Sequence, residues 1–176
     1  MQYQSLGKSA LKVSRLCLGT MNFGPRTSEE DSFAVLNAAV DAGINFIDTA
    51  NQYGGHLGVG TTESILGSWL AEDSSRRDKL IIATKVHEPM SDDINDRGLS
   101  ARHIQMACDA SLKRLGIDHI DLYQMVVSFE IVRTYSNVLV HFHKKEKKFY
   151  YRHNKKNLCC QDEDLQIFSQ ANVRQD

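Results

Sequence analysis

The sequence predicts an α/β fold built on a parallel sheet, and three observations carry that prediction. Apolar strands alternate with amphipathic helices at a spacing of roughly 35 residues, the pattern of right-handed βαβ units. One strand, Leu80-Ile-Ile-Ala-Thr84, is a continuous apolar run, as strands covered on both faces of a parallel sheet are. All eleven Gly and both Pro lie at or before residue 116, so the turn-forming residues share the stretch that shows the alternation. A doubly wound sheet and a (β/α) barrel both satisfy this pattern, and periodicity alone does not choose between them.

The elements follow in order. Residues 1–15 read as a hairpin turning at Gly7-Lys8-Ser9. The first strand is Arg15–Gly19. Thr27-x-x-Glu30 is a capping box, Phe33, Leu36 and Val40 make one apolar stripe behind it, and Gly43 fits the helix end. The second strand is Ile44–Asp48; a Gly-rich loop follows it, then a helix turning Ile65, Leu66, Trp69 and Leu70 inward. After the third strand, Leu80–Thr84, Ser100 caps a helix with Ile104, Cys108, Leu112 and Leu115 on one face, and Gly116 closes it. Ile120–Tyr123 starts the fourth strand.

A chain of 176 residues is long enough for one domain with a core, and 41% hydrophobic with 24% charged residues is ordinary for a globular protein. A net charge of -1 makes no case for a nucleic-acid or membrane partner. The N-terminal stretch has no apolar run long enough for a signal-peptide core or a membrane span. Cys17, Cys108, Cys159 and Cys160 show no C-x-x-C spacing, so reduced thiols and a cytoplasmic location are expected.

Three residues promise chemistry. Asp48 ends the second strand, Tyr53 follows in the loop, and Lys85 ends the third strand. Ligands bind at the C-terminal ends of strands in parallel α/β folds, so a carboxylate, a phenol and an ammonium would share one mouth. A free tyrosine, with a pKa of about 10, donates protons poorly near neutrality. An ammonium beside it favours the phenolate, and an aspartate holds the ammonium in place. The plain alternatives are a turn-capping Asp and a loop Tyr. Lys85 resists that reading, because a charge closing an apolar strand needs a partner.

The segments LGTMNFG, INFIDTANQYGG, LIIATKV, NDRGLSARHI and SLKRLGIDHIDLYQM together resemble the N-terminal half of an aldo-keto reductase, almost continuously over residues 1–125. The resemblance implies a partial (β/α)8 TIM barrel: an N-terminal hairpin plus roughly the first four strands. It implies hydride transfer from NADPH to aldehydes and ketones, with a small carbonyl compound as substrate. Asp48, Tyr53 and Lys85 match three of the family's catalytic tetrad of Asp, Tyr, Lys and His. Gly19, Thr20 and Met21, with Asp48, would line the nicotinamide site. Where the family motif places histidine after D-L-Y-x-x, this chain has Val126, which neither donates nor accepts a hydrogen bond. The family's residues for the cofactor's phosphates lie mostly in the second half of a barrel that needs roughly 250 residues. The chain is therefore expected to be inactive, and Val126→His alone is not expected to repair it.

Residues 126–176 are expected to form a divergent tail, irregular or disordered, without family resemblance. The first 125 residues are net acidic and the tail is net basic. The run His143–Lys156 interleaves basic and aromatic residues, as single-strand nucleic-acid binders do. Such a composition also arises from translated AT-rich non-coding sequence, and a retained intron or frameshift after Met125 is the preferred reading. A non-catalytic half-barrel associating with itself through open sheet edges is the alternative function. A nucleic-acid-binding appendage ranks below it. His141 and His143 would share one strand face, but without a carboxylate or thiol at ligand spacing no metal is expected. The loop Gly54–Gly60 lacks the G-x-G-x-x-G spacing of a nucleotide loop.

Overall fold

The computed structural model describes residues 1–125 and the strands 138–143 and 148–152. The chain opens with an antiparallel hairpin, β1 (Tyr3–Ser5) and β2 (Lys12–Ser14). A six-stranded sheet follows, in the order β3 (Leu18–Gly19), β4 (Phe46–Asp48), β5 (Ile81–Val86), β6 (His119–Met125), β7 (Val138–His143), β8 (Lys148–Arg152). Strands β3 to β6 are parallel, while β7 and β8 join antiparallel. Helices α1 (Glu29–Asp41), α2 (Thr61–Glu72) and α3 (Ala101–Leu115) are the crossovers between the parallel strands. This is the α/β architecture with a parallel sheet that the sequence predicts, and it is consistent with a partial barrel.

The tail departs from expectation. Val138–His143 and Lys148–Arg152 are strands, not irregular chain. The physical reason is composition: VLVHFH and KFYYR are rich in the β-branched and aromatic residues that suit a pleated surface, and β6 offers a free edge to pair with. Cys159, Cys160 and Val126 lie outside the described residues.

Local signals place the helices. Ser28, not Thr27, is the N-cap of α1: its Oγ accepts the Asp31 amide at 3.1 Å. Both residues could cap, and the shift by one position leaves three acidic side chains, Glu29, Glu30 and Asp31, in the first turn, where the helix dipole favours them. Ser100 Oγ likewise accepts the His103 amide at 3.1 Å at the start of α3. Gly116 ends α3 with φ +66°, a conformation costly to other residues.

The core fills one face of the sheet. Ile47, Ile82 and Leu80 pack with Leu36, Leu66, Trp69 and Leu115 from the helices, while Val86, Ile120 and Tyr123 pack with Cys108 and Leu112. Each large side chain so buried contributes roughly 1.5–3 kcal/mol. Helices α2 and α3 meet at Gly67, where a Cβ would overlap the carbonyl oxygen of Arg114. Glu63, fully buried between them, accepts from Arg114 Nε at 2.7 Å and from the Thr84 hydroxyl at 2.5 Å. At the N-terminal end of the strands, Asp121 Oδ2 accepts from Arg77 and from the Ile82 amide, each at 2.8 Å. Side chains alternate across a strand, so Asp48, Ala83, Lys85 and Gln124 project from the face opposite the core. Among the described residues no helix is long and apolar enough to cross a membrane.

Candidate active site

Register brings the predicted residues together. Asp48 pairs with Gly19 on one side and Ala83 on the other, and Lys85 follows Ala83 on the same face of β5. Lys85 Nζ donates to Asp48 Oδ2 at 2.6 Å, to the Thr49 carbonyl at 2.8 Å and to the Tyr53 hydroxyl at 3.3 Å. Its three N–H groups are thus matched to three acceptors. The pair is neither sealed nor fully wet: the side chains of Lys85 and Asp48 are 18% and 28% exposed. Nζ also lies 5.0 Å from the centre of the Tyr53 ring, within cation–π range.

The loop after β4 is built to present Tyr53. The Tyr53 amide donates to the Ala50 carbonyl, and its own carbonyl accepts from Thr62 at the start of α2. The next residue, Gly54, has φ +153°, and a Cβ there would collide with the Gly58 carbonyl. Only glycine closes this loop without strain. Because the Tyr53 oxygen accepts from Lys85, its own proton is left to point elsewhere. Tyr123, by contrast, is packed into the core, and burial pushes its phenol far above the usual tyrosine range.

Residues expected at the nicotinamide site behave unequally. Gly19 has open space where a Cβ would stand. Thr20 is fully buried, and both its amide and its hydroxyl donate to the Asp48 carbonyl at 3.1 Å, so it braces β3 against β4. Met21 is 62% exposed beside them. Thr49 Oγ1 and Asn51 Nδ2, on the loop after β4, are buried without hydrogen-bond partners among the described residues.

Two contributors were not legible in advance. Gln124 Nε2 donates to Asp48 Oδ1 at 2.8 Å. A signal existed: β4, β5 and β6 all carry a polar residue near their C-terminal ends, in Phe46–Asp48, Thr84-Lys85 and Tyr123-Gln124. Only the pairing of Lys85 with Gln124 assigns that glutamine to the site. The other is Cys17, an exposed residue whose thiol is partly desolvated and is pushed up to about 11, first by that desolvation and then by the Asp48 carboxylate, with Lys85 acting in the opposite sense.

The sequence profile of the Aldo/keto reductase family matches residues 15–148, running past Met125. An uncharacterized oxidoreductase, YrpG, of Bacillus subtilis is 53% identical over 130 residues, which is 71% of this chain and 40% of that protein. Protein tas of Escherichia coli is 46% identical over 134 residues, 71% of this chain and 38% of its own length. A probable voltage-gated potassium channel subunit beta of Arabidopsis thaliana is 39% identical over 123 residues, covering 69% of this chain and 36% of that protein. The chain therefore spans about two fifths of the length of the relatives it matches.

Proposed function

The chain belongs to the aldo/keto reductase family, and on that footing we propose that Asp48, Tyr53 and Lys85 are the proton-donating part of a carbonyl-reducing site. The observation that carries this reading is the position of Lys85 Nζ, 2.6 Å from Asp48 Oδ2 and 3.3 Å from the Tyr53 hydroxyl.

The reaction is a two-electron reduction of an aldehyde or ketone to an alcohol. NADPH, when bound, supplies the hydride to the carbonyl carbon. Gly19, Thr20, Met21 and Asp48 are the residues of this chain that would hold its nicotinamide end. As the C–H bond forms, the carbonyl oxygen gains negative charge and takes the proton of the Tyr53 hydroxyl. Lys85 stabilises the phenolate left behind, and Asp48 keeps the ammonium charged and aimed. Tyr53 then regains a proton from solvent, which returns the site to its starting state.

Val126 sets the limit. It stands where the family resemblance places a histidine, and it cannot orient a carbonyl by hydrogen bonding. The loss of such a group costs on the order of 100- to 10,000-fold in rate, so this chain reduces carbonyls slowly or not at all. The test is carbonyl reduction on a barrel completed from a relative, with Tyr53 intact and as Tyr53→Phe.

A further inference from the structure

We propose that Gln124 is a positioning residue of the acid site: its amide holds the Asp48 carboxylate at the angle that leaves Lys85 facing Tyr53. The inference rests on the reading of Tyr53 as the acid.

Asp48 has two carboxylate oxygens, and each is held from a different strand. Oδ2 accepts from Lys85 on β5 at 2.6 Å, and Oδ1 accepts from Gln124 on β6 at 2.8 Å. A carboxylate only accepts, so the atom facing Oδ1 must be the amide nitrogen, and the orientation of Gln124 follows from chemistry. A carboxylate anchored at one oxygen can turn about its terminal torsion, which is broad. The second anchor removes that freedom.

Lys85 depends on this. Its ammonium is committed to Asp48, to the Thr49 carbonyl at 2.8 Å and, at the longest distance, to Tyr53 at 3.3 Å. If the carboxylate turns, the ammonium follows its charge-assisted partner, because that bond is the strongest of the three. The contact to Tyr53 is then the first to be lost. Gln124 pairs in register with Lys85, two residues beyond the Ala83 that pairs with Asp48, so its side chain reaches across β5 and back along the sheet to Asp48 on β4 and ties three adjacent strands together. Its neutrality matters as well. A cation at 124 would compete with Lys85 for the charge of Asp48, and an anion would draw Lys85 away. An amide holds the carboxylate and leaves the ion pair intact.

The test follows the ammonium hydrogens of Lys85 in the chain labelled with 15N-lysine, its signal identified by its loss in Lys85→Arg. With all three N–H groups bonded, Lys85 should exchange with water more slowly than the surface lysines. Gln124→Met keeps the length and removes the donor. Gln124→Leu removes the donor with a shorter apolar side chain. Both are expected to keep the fold and to speed Lys85 exchange about tenfold, the effect of losing one net hydrogen bond. The backbone amides of Ile82 and Ala83 serve as the internal reference for general opening. A merely structural Gln124 would change those amides and Lys85 together. Lys85 exchange that is unchanged in both variants, or already fast in the parent chain, overturns the proposal. If one variant does not fold, the other decides. Should Tyr53→Phe leave carbonyl reduction by the completed barrel intact, the acid reading fails, while the exchange result still stands or falls on its own.

Discussion

The carboxylate of Asp48 and the ammonium of Lys85 meet at 2.6 Å from adjacent parallel strands, and both keep some contact with solvent. Neither charge is solvated as it would be in water, so each relies on the other. A double-mutant cycle with Asp48→Asn and Lys85→Met, followed by urea unfolding, is expected to give a coupling of about 0.5–3 kcal/mol. Asp48→Asn should be the more damaging single change, because it leaves a partly buried cation without an anion. A coupling indistinguishable from zero would show that the pair is only a surface contact.

Cys17 reports on the same charge pair. Cys17 is exposed as a residue, but partial desolvation of its thiol and then the Asp48 carboxylate raise it from 9.0 to about 11. The thiolate is the nucleophile, so alkylation by iodoacetamide should be slow near neutral pH and should rise only toward pH 11. In Asp48→Asn a raising influence disappears, and alkylation of the Cys17 peptide, read by mass spectrometry, should begin at lower pH. An unchanged profile would place Cys17 out of reach of Asp48.

Gly67 sets the distance between α2 and α3, since a Cβ there would overlap the Arg114 carbonyl. Gly67→Ala improves helix propensity by about 1 kcal/mol, yet it is expected to destabilise the chain by about 1–3 kcal/mol through overpacking. Gly19→Ala is the matched control: its Cβ meets open space, and stability should stay within about 0.5 kcal/mol of the parent. Equal denaturation midpoints for the two variants would contradict this account of the packing.

Glu63 is a carboxylate with no exposed surface, held by Arg114 and Thr84. Removing one partner of a buried pair is costlier than removing both. Arg114→Met should therefore cost about 3–5 kcal/mol, and adding Glu63→Gln should recover part of that loss. Thermal unfolding of the single and double variants reads this directly, and an additive double variant speaks against it.

The chain-level pattern was legible where one physical cause acts alone. The apolar run before Lys85 could only be a buried strand, and the charge ending it needed a partner, which proved to be Asp48. Trp69 and Leu112 were readable from helical periodicity. Legibility failed where two residues could serve equally, as Thr27 and Ser28 could at the α1 cap. It failed again for Gln124, because a polar residue in a short strand can face either side until pairing fixes its register. The strands 138–143 and 148–152 were hidden for another reason. The stretch carries no Gly or Pro to mark where a turn ends one strand and begins the next, although strand propensity is present in residues such as Val138, Val140, Phe149 and Tyr150.

The central claim is that residues 1–125 hold a working proton donor at Tyr53. It is tested most directly by joining them to the remaining part of the Bacillus subtilis relative, which is 53% identical over the shared stretch. The measurement is aldehyde-dependent NADPH oxidation by this chimera. The account predicts turnover that falls on the order of 100- to 10,000-fold in Tyr53→Phe, with the fold unchanged. A folded chimera that reduces the aldehyde equally well with phenylalanine at 53 would contradict it.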